Sequence, residues 1–286
     1  MDLRSLKDIL RDNGIRLKKR WGQNFLCDEA IIADIVRAAN VAPGDLVVEV
    51  GPGIGTLTER ILDTGADVVA VDIDPKLTDV LGERFAGNKR LRVVTADILA
   101  ADLRELAGSG ADGQTRPFTV IANLPYYITS TILMLFLESG LPIRRMVCTM
   151  QQEVAARVTA CPGTKTYGIL SVFSQFYSRP SVVRKIGAHA FFPVPEVDSA
   201  VVRFDDPARP AVEVRDKAVF AAVVKTAFGQ RRKTIRNNLM RLDGFEPAKT
   251  AALLAACRID PARRAETLSL EEFARIADWI SQTRKR

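Results

Sequence analysis

An apolar run, F-T-V-I-A (118–122), ends in N-L-P-Y, which is Asn123, Leu124, Pro125 and Tyr126. Pro125 has no backbone N–H and biases Leu124 toward an extended conformation, so the carbonyls at this strand end lose ladder donors. An amide oxygen, free carbonyls and a flat aromatic ring then stand side by side. That set suits an exocyclic ring amine, whose lone pair is normally delocalised into the ring. Acceptors on its N–H groups, the Asn123 Oδ1 and the Leu124 carbonyl, favour a pyramidal nitrogen with its lone pair free to attack. Tyr126 can stack on the ring, as enzymes that act on extruded bases require. A capped strand end with a packed tyrosine would use the same residue types, and the motif alone does not separate the two.

Three further strand ends narrow the chemistry. L-V-V-E-V (46–50) runs into G-P-G-I-G-T, with glycines at 51, 53 and 55. A strand, a glycine turn and a helix start let a ligand approach the backbone closely. Thr56 stands where a dinucleotide fingerprint has its third glycine, and Glu49 inside the strand would repel a phosphate and suit a cation. Asp72 closes the next strand, about 20 residues on, where an acid takes both hydroxyls of a ribose. Asp74 is the alternative, although it reads first as the cap of the helix starting at Pro75. Asp97, after the third strand, can accept from an exocyclic amine. A glycine turn, a ribose acid and a base acid in succession fit S-adenosylmethionine better than NAD or FAD.

The elements that must hold these residues alternate. Strands are expected at 46–50, 68–72, 91–95, 118–122 and 145–150, with helices at 28–40, 55–64, 75–86 and 129–139. The strands are apolar on both faces, as in a parallel sheet covered by helices. Two more strands, 181–187 and 199–204, are joined through F-F-P-V-P. After D-D-P-A-R-P (205–210) the pattern turns helical, at about 215–228, 231–241, 247–257 and 270–283. The fold class is α/β: a Rossmann-like sheet with a small all-helical C-terminal domain. The divisions are a basic N-terminal segment (1–27), a sheet domain (28–205) and a helical domain (206–286).

The 286 residues carry a net charge of +7, all of it in the last segment. Residues 1–205 hold 24 basic and 24 acidic side chains, whereas residues 206–286 hold 17 and 10. A basic helical domain points to a polyanionic partner, against the plainer reading of a solvated surface. Lys225, Arg232 and Arg236 fall at spacings of seven and four and are placed on one helical face, flanked by Arg231 and Lys233. K-K-R (Lys18, Lys19, Arg20) is a second basic cluster. Mean hydropathy is +0.04 and no apolar run is long enough to span a bilayer. Four cysteines without a C-x-x-C pair read as reduced thiols of a cytoplasmic protein, and a single histidine, His189, argues against a metal site. Methyl transfer to an amine is an in-line displacement in which positioning dominates, so His189 receives no catalytic role.

E-V-G-P-G-I-G-T-L-T, N-L-P-Y-Y-I-T-S, F-F-P-V-P-E-V-D-S-A-V-V-R-F and A-F-G-Q-R-R-K-T-I-R-N-N-L together resemble the small-subunit ribosomal RNA adenine N6,N6-dimethyltransferases. The resemblance covers nearly the whole chain from about Lys18, and G-Q-N-F-L and Q-R-R-K-T-I-R-N-N-L are its most specific parts. It implies S-adenosylmethionine-dependent dimethylation of two adjacent adenosines near the 3′ end of small-subunit rRNA. The enzyme would be a monomer acting on a pre-ribosomal small subunit, with no membrane partner. Carried over by position, it places the cofactor on Asn24, Leu26, Gly51, Asp72, Asp97 and Asn123. Relatives often carry Glu at the position of Asp72, which keeps Asp74 open. It also makes Phe191 a second stacking face opposite Tyr126, with Phe192 as the alternative and otherwise a core residue.

Three other readings compete with this one. Large-subunit dimethylases that confer macrolide resistance share N-x-P-Y but typically have Ile after the Asn and lack the Q-R-R-K-T-I-R-N-N-L helix. A non-catalytic assembly or transcription factor on the same fold would have little use for an intact N-L-P-Y. An NAD-dependent oxidoreductase is disfavoured by the glycine spacing.

Overall fold

The computed structural model describes residues 3–15, 17, 22–108, 114–207 and 210–283. The chain forms two compact units, Met1–Ala155 with Ser178–Arg209, and Ala156–Tyr177 with Pro210–Arg286. In chain order the elements are α1 (Leu3–Asp12), β1 (Phe25–Leu26), α2 (Glu29–Ala39), β2 (Leu46–Val50), α3 (Thr56–Asp63), β3 (Asp67–Asp72), α4 (Pro75–Arg84) and β4 (Leu91–Thr95). They continue with α5 (Leu103–Ala107), β5 (Phe118–Asn123), α6 (Thr129–Glu138), β6 (Ile143–Gln151), α7 (Gln152–Val158), α8 (Ile169–Tyr177), β7 (Arg179–Ile186), β8 (Phe191–Phe192) and β9 (Ser199–Asp205). The last four are α9 (Lys217–Ala227), α10 (Ile235–Leu239), α11 (Pro247–Ala256) and α12 (Leu270–Thr283).

Seven strands form one sheet in the order β4-β3-β2-β5-β6-β9-β7. Strands β2 to β6 pair in parallel, and β9 lies antiparallel between β6 and β7. All five residues of β2 are buried, as the Val-rich sequence demands when helices cover both faces. Helix α2 starts where Asp28 accepts hydrogen bonds from the Ala30 and Ile31 N–H groups, and it packs Ile32 and Ile35 onto Val47 and Ile121. No helix among the described residues is long and apolar enough to cross a membrane.

Two divisions differ from the sequence expectation. Residues 156–177 belong with the C-terminal unit rather than with the sheet, because the Phe176 ring of α8 stacks on Phe220 of α9 with centroids 4.4 Å apart. The sequence reading assigned no element to this stretch. The N-terminal segment is also more than a polar arm. Leu6 and Leu10 of α1 are buried with Ile54, Leu77, Val80 and Phe25, so the helix packs on the first unit.

Candidate active site and nucleic-acid interface

Strands β3 and β5 flank β2 on opposite sides, so the carboxyl ends of β2 and β5 border a crevice where the strand order reverses. A cavity of about 230 Å³ opens there. Residues 22–26, 50–53, 71–73, 96–99 and 123–128 form most of its wall.

The glycine turn is required by space as well as by backbone angle. Gly51 has φ +71°, and a Cβ on it would lie 3.2 Å from the Asn123 carbonyl oxygen. Gly53 has φ +59°, and its Cβ would come 2.6 Å from the Phe25 ring. The turn thus presents bare backbone to the cavity. That suits a ligand carrying a ribose, a base and a charged amino-acid tail, and the acids and amides around it supply acceptors for such groups. S-adenosylmethionine fits this lining.

Asp72 lines the cavity and is 9% exposed. Its Oδ1 accepts from the Asp74 N–H at 2.9 Å and its Oδ2 from the Gly53 N–H at 3.3 Å. Burial pushes its pKa up to about 6, against those backbone donors, which hold it down. Asp74 does not line the cavity. It caps α4 at the Lys76 N–H and accepts from Gln23 Nε2 at 3.1 Å, so geometry favours Asp72 as the ligand acid. Asp97 also lines the cavity, exposed, with its Oδ1 on the Leu99 N–H. Glu49 departs from expectation. It is 1% exposed, does not line the cavity, and accepts from the Thr58 hydroxyl at 2.7 Å. Burial raises its pKa to about 8, so it is mostly protonated at neutral pH and offers no charge to a cationic ligand.

Asn24 and Asn123 meet directly, with the Asn123 Nδ2 donating to the Asn24 carbonyl at 2.7 Å. This fixes the amide orientation and leaves Oδ1 without a donor among the described residues. The Leu124 N–H takes the last ladder bond, to the Thr149 carbonyl at 3.1 Å. The Pro125 carbonyl is taken by the Ile128 N–H and the Thr129 hydroxyl. Among the described residues nothing donates to the Leu124 carbonyl, so both acceptors expected of the motif are available. Tyr126 lines the cavity, and its hydroxyl is 2.7 Å from the buried Ser199 hydroxyl. Leu26 lines the cavity too.

Phe191 is not where the sequence reading put it. It is 2% exposed and packs in the core with Leu26, Ile186 and Val201, opposite Leu26 in the β1–β8 pair. Phe192, expected in the core, is only half-buried, with the Lys7 ammonium 5.0 Å from its ring centre. Neighbouring strand residues face opposite ways, and the short β1–β8 ladder sets which one turns inward. Neither lines the cavity. Among the cavity residues to which the sequence reading gave no role are Gln23, Ile73, Leu99 and Tyr127. Gln23 ties the wall to Asp74, Ile73 and Leu99 are exposed apolar residues just past the two acids, and Tyr127 is 59% exposed. An apolar residue following a strand-end acid is the signal that was available for Ile73.

In the C-terminal unit the basic residues do not share one helix. Helix α9 stops at Ala227 and α10 begins at Ile235, capped by Thr234. Arg231, Arg232 and Lys233 stand in the turn between them, so the seven-residue spacing to Lys225 has no helical meaning. Gly229 breaks the run, and buried Asn238 holds the turn by donating to the Ala227 and Gln230 carbonyls at 2.7 and 3.1 Å. Arg231 is committed to Glu266 at 3.4 Å and to the Lys165 carbonyl. Lys225, Arg232, Lys233 and Arg236 are exposed and have no carboxylate partner among the described residues. Lys18, Lys19 and Arg20 lie outside the described residues.

This strand order, with a glycine turn after the first core strand and acids closing the next two, defines a Rossmann-like S-adenosylmethionine-dependent methyltransferase with a C-terminal helical unit. The sequence matches the profile of the family described as "Ribosomal RNA adenine dimethylase" over residues 14–282. The chain belongs to that family. It is 46% identical over 273 residues to "Ribosomal RNA small subunit methyltransferase A" of Moorella thermoacetica, covering 94% of each chain. It is 44% identical to the protein of the same name from Enterococcus faecalis, covering 97% of this chain and 95% of that one. Among solved structures, the 23S rRNA methyltransferase ErmE superposes with TM-score 0.68 at 28% identity, over 90% of this chain and 100% of that one. A dimethyladenosine transferase from Plasmodium falciparum reaches TM-score 0.74 at 22% identity, over 91% and 98%, which speaks for the fold.

Proposed function

We propose that the protein transfers methyl groups from S-adenosylmethionine to N6 of adenosines in small-subunit rRNA. The substrate is two adjacent adenosines near the 3′ end of that RNA, each methylated twice, within an assembling small subunit. The protein works as a monomer in the cytoplasm, where the small subunits it acts on assemble. The observation that carries this reading is the pair of open acceptors, Asn123 Oδ1 and the Leu124 carbonyl, beside the Tyr126 ring on the cavity that holds the glycine turn.

When bound, S-adenosylmethionine supplies an electrophilic methyl group on its sulfonium. Asp72 would receive the ribose hydroxyls, Asp97 the adenine amine, and Asn24, Leu26 and Gly51 the remainder of the ligand, with Ile73 and Leu99 offering apolar contact. The target adenine, extruded from its stack, lies against Tyr126, with its two N–H groups on Asn123 and Leu124. These acceptors localise the nitrogen lone pair and aim it, so most of the acceleration is positioning. The proton released on transfer leaves to solvent. After one methylation a single N–H remains, and one acceptor then orients the amine for the second. Lys225, Arg232, Lys233 and Arg236 contact backbone phosphates, which position an RNA rather than read it; Arg231 braces the turn, and Lys18, Lys19 and Arg20 are a second basic cluster for phosphates.

The test is methyl transfer from labelled cofactor to small subunits that lack the modification, with naked RNA as control. Dimethyladenosine on the subunits is the expected product. Binding without turnover would replace the enzyme by an assembly factor on the same fold, and transfer to large-subunit RNA would change the substrate.

A further inference from the structure

Ser199 opens β9, is 0% exposed, and pairs in register with Gln151 of β6 and Ile186 of β7. Its neighbours along the strand are Ala200, Val201 and Val202, all buried and apolar. A hydroxyl at such a position is costly unless it has a partner. Its only side-chain partner among the described residues is the Tyr126 hydroxyl, at 2.7 Å and 73 residues away in sequence. The start of β9 is itself held firmly. The Asp198 carbonyl accepts from the Gln152 N–H at 2.9 Å, and its carboxylate accepts from the Ala188 N–H at 3.0 Å. Tyr126, by contrast, sits on a single 3-10 turn just after Pro125 and lines the cavity. A short turn does not fix a tyrosine's side-chain torsions, whereas a bond from the far end of the ring to a rigid strand does.

We propose that Ser199 is a positioning residue for methyl transfer: its hydroxyl tethers the Tyr126 phenol so that the ring keeps one face toward the target adenine. The proposal rests on the dimethylase reading above. It makes the hydroxyl of Tyr126 a structural handle, and the chemistry belongs to the ring face. It also explains why a buried serine stands at the head of the buried aliphatic run Ala200, Val201 and Val202.

The tether can be cut from either end, with Ser199→Ala or Tyr126→Phe. Tyr126→Phe leaves no cavity in the core and guards against a folding defect in the serine variant. Single-turnover transfer to unmethylated small subunits at saturating cofactor should fall about five- to tenfold in each, the worth of one neutral hydrogen bond. The double variant should be no slower than the slower single one, because both remove the same bond. Cofactor affinity should stay at the parent value. A subunit RNA carrying 2-aminopurine at the target position should show weaker quenching by both variants, which a purely structural role for Ser199 would not produce. Wild-type rates in both variants beside an active parent overturn the tether alone. So do losses that multiply in the double variant, or a slow Ser199→Ala with a fast Tyr126→Phe. A parent protein that methylates no subunit overturns the dimethylase reading, and the tether with it.

Discussion

The cleft of the first unit and the basic turn of the second are both proposed contact surfaces, yet they are built in opposite ways. In the cleft each key group is held by at least one other residue. Asn123 is oriented by the Asn24 carbonyl, Asp72 by the Gly53 and Asp74 N–H groups, and Tyr126 by Ser199. In the turn Asn238 holds the backbone and Arg231 is tied to Glu266, while Arg232 and Lys233, with Arg236 at the start of α10, are exposed. A reacting nitrogen must be placed within fractions of an ångström, whereas phosphates are bound through long-range charge that tolerates mobile side chains. Substitutions in the cleft should therefore act sharply and singly, and those in the turn weakly, additively and in proportion to salt.

The largest expected effect tests the packing behind the cleft. Phe191→Ala should cost about 3–5 kcal/mol of stability as a core aromatic, against a small change for Phe192→Ala. Thermal melts of the two variants check this, and equal melting temperatures would return Phe191 to the surface role read from the sequence. Next is Asn123→Ala, which deletes an acceptor that acts as the amine becomes tetrahedral. Single-turnover transfer should drop on the order of 100-fold while subunit affinity holds. A near-normal rate would mean that the Leu124 carbonyl suffices.

Asp72→Ala should weaken cofactor binding by about 1–3 kcal/mol in calorimetry. The wild type should show a matching pH effect. Two ribose hydroxyls require an ionised acceptor, and Asp72 titrates near 6, so affinity should be full above that pH and decline as pH falls through it. Asp72→Asn should bind weakly with no such decline. Smallest is the double variant Arg232→Ala/Arg236→Ala. It should keep fold and cofactor affinity but flatten the salt dependence of subunit binding by about one unit of slope, or a little less, per charge. An unchanged slope would leave this turn merely solvated and erase the contrast between the two regions.

Much of the cleft is legible in the sequence. Gly51, Asp72, Asp97, Asn123 and Tyr126 each follow an apolar strand, and parallel strands bring their carboxyl ends to one edge, so linear position implied proximity. The basic excess of the last 81 residues was equally plain from counting. What composition and period determined was therefore the layering of the sheet, the crevice and the sign of the charge on the second unit. Tertiary structure decided the rest. Which of Phe191 and Phe192 faces inward depends on a two-residue ladder with β1, more than 160 residues earlier in the chain. Whether Glu49 is a charge or a buried acid depends on the helix laid over it, and whether α9 runs on to Arg236 depends on Asn238 closing a turn. The Ser199–Tyr126 bond joins two strand ends whose nearness no local pattern encodes. Burial and pairing across long separations are set by what packs against a residue, and local sequence describes only the residue itself.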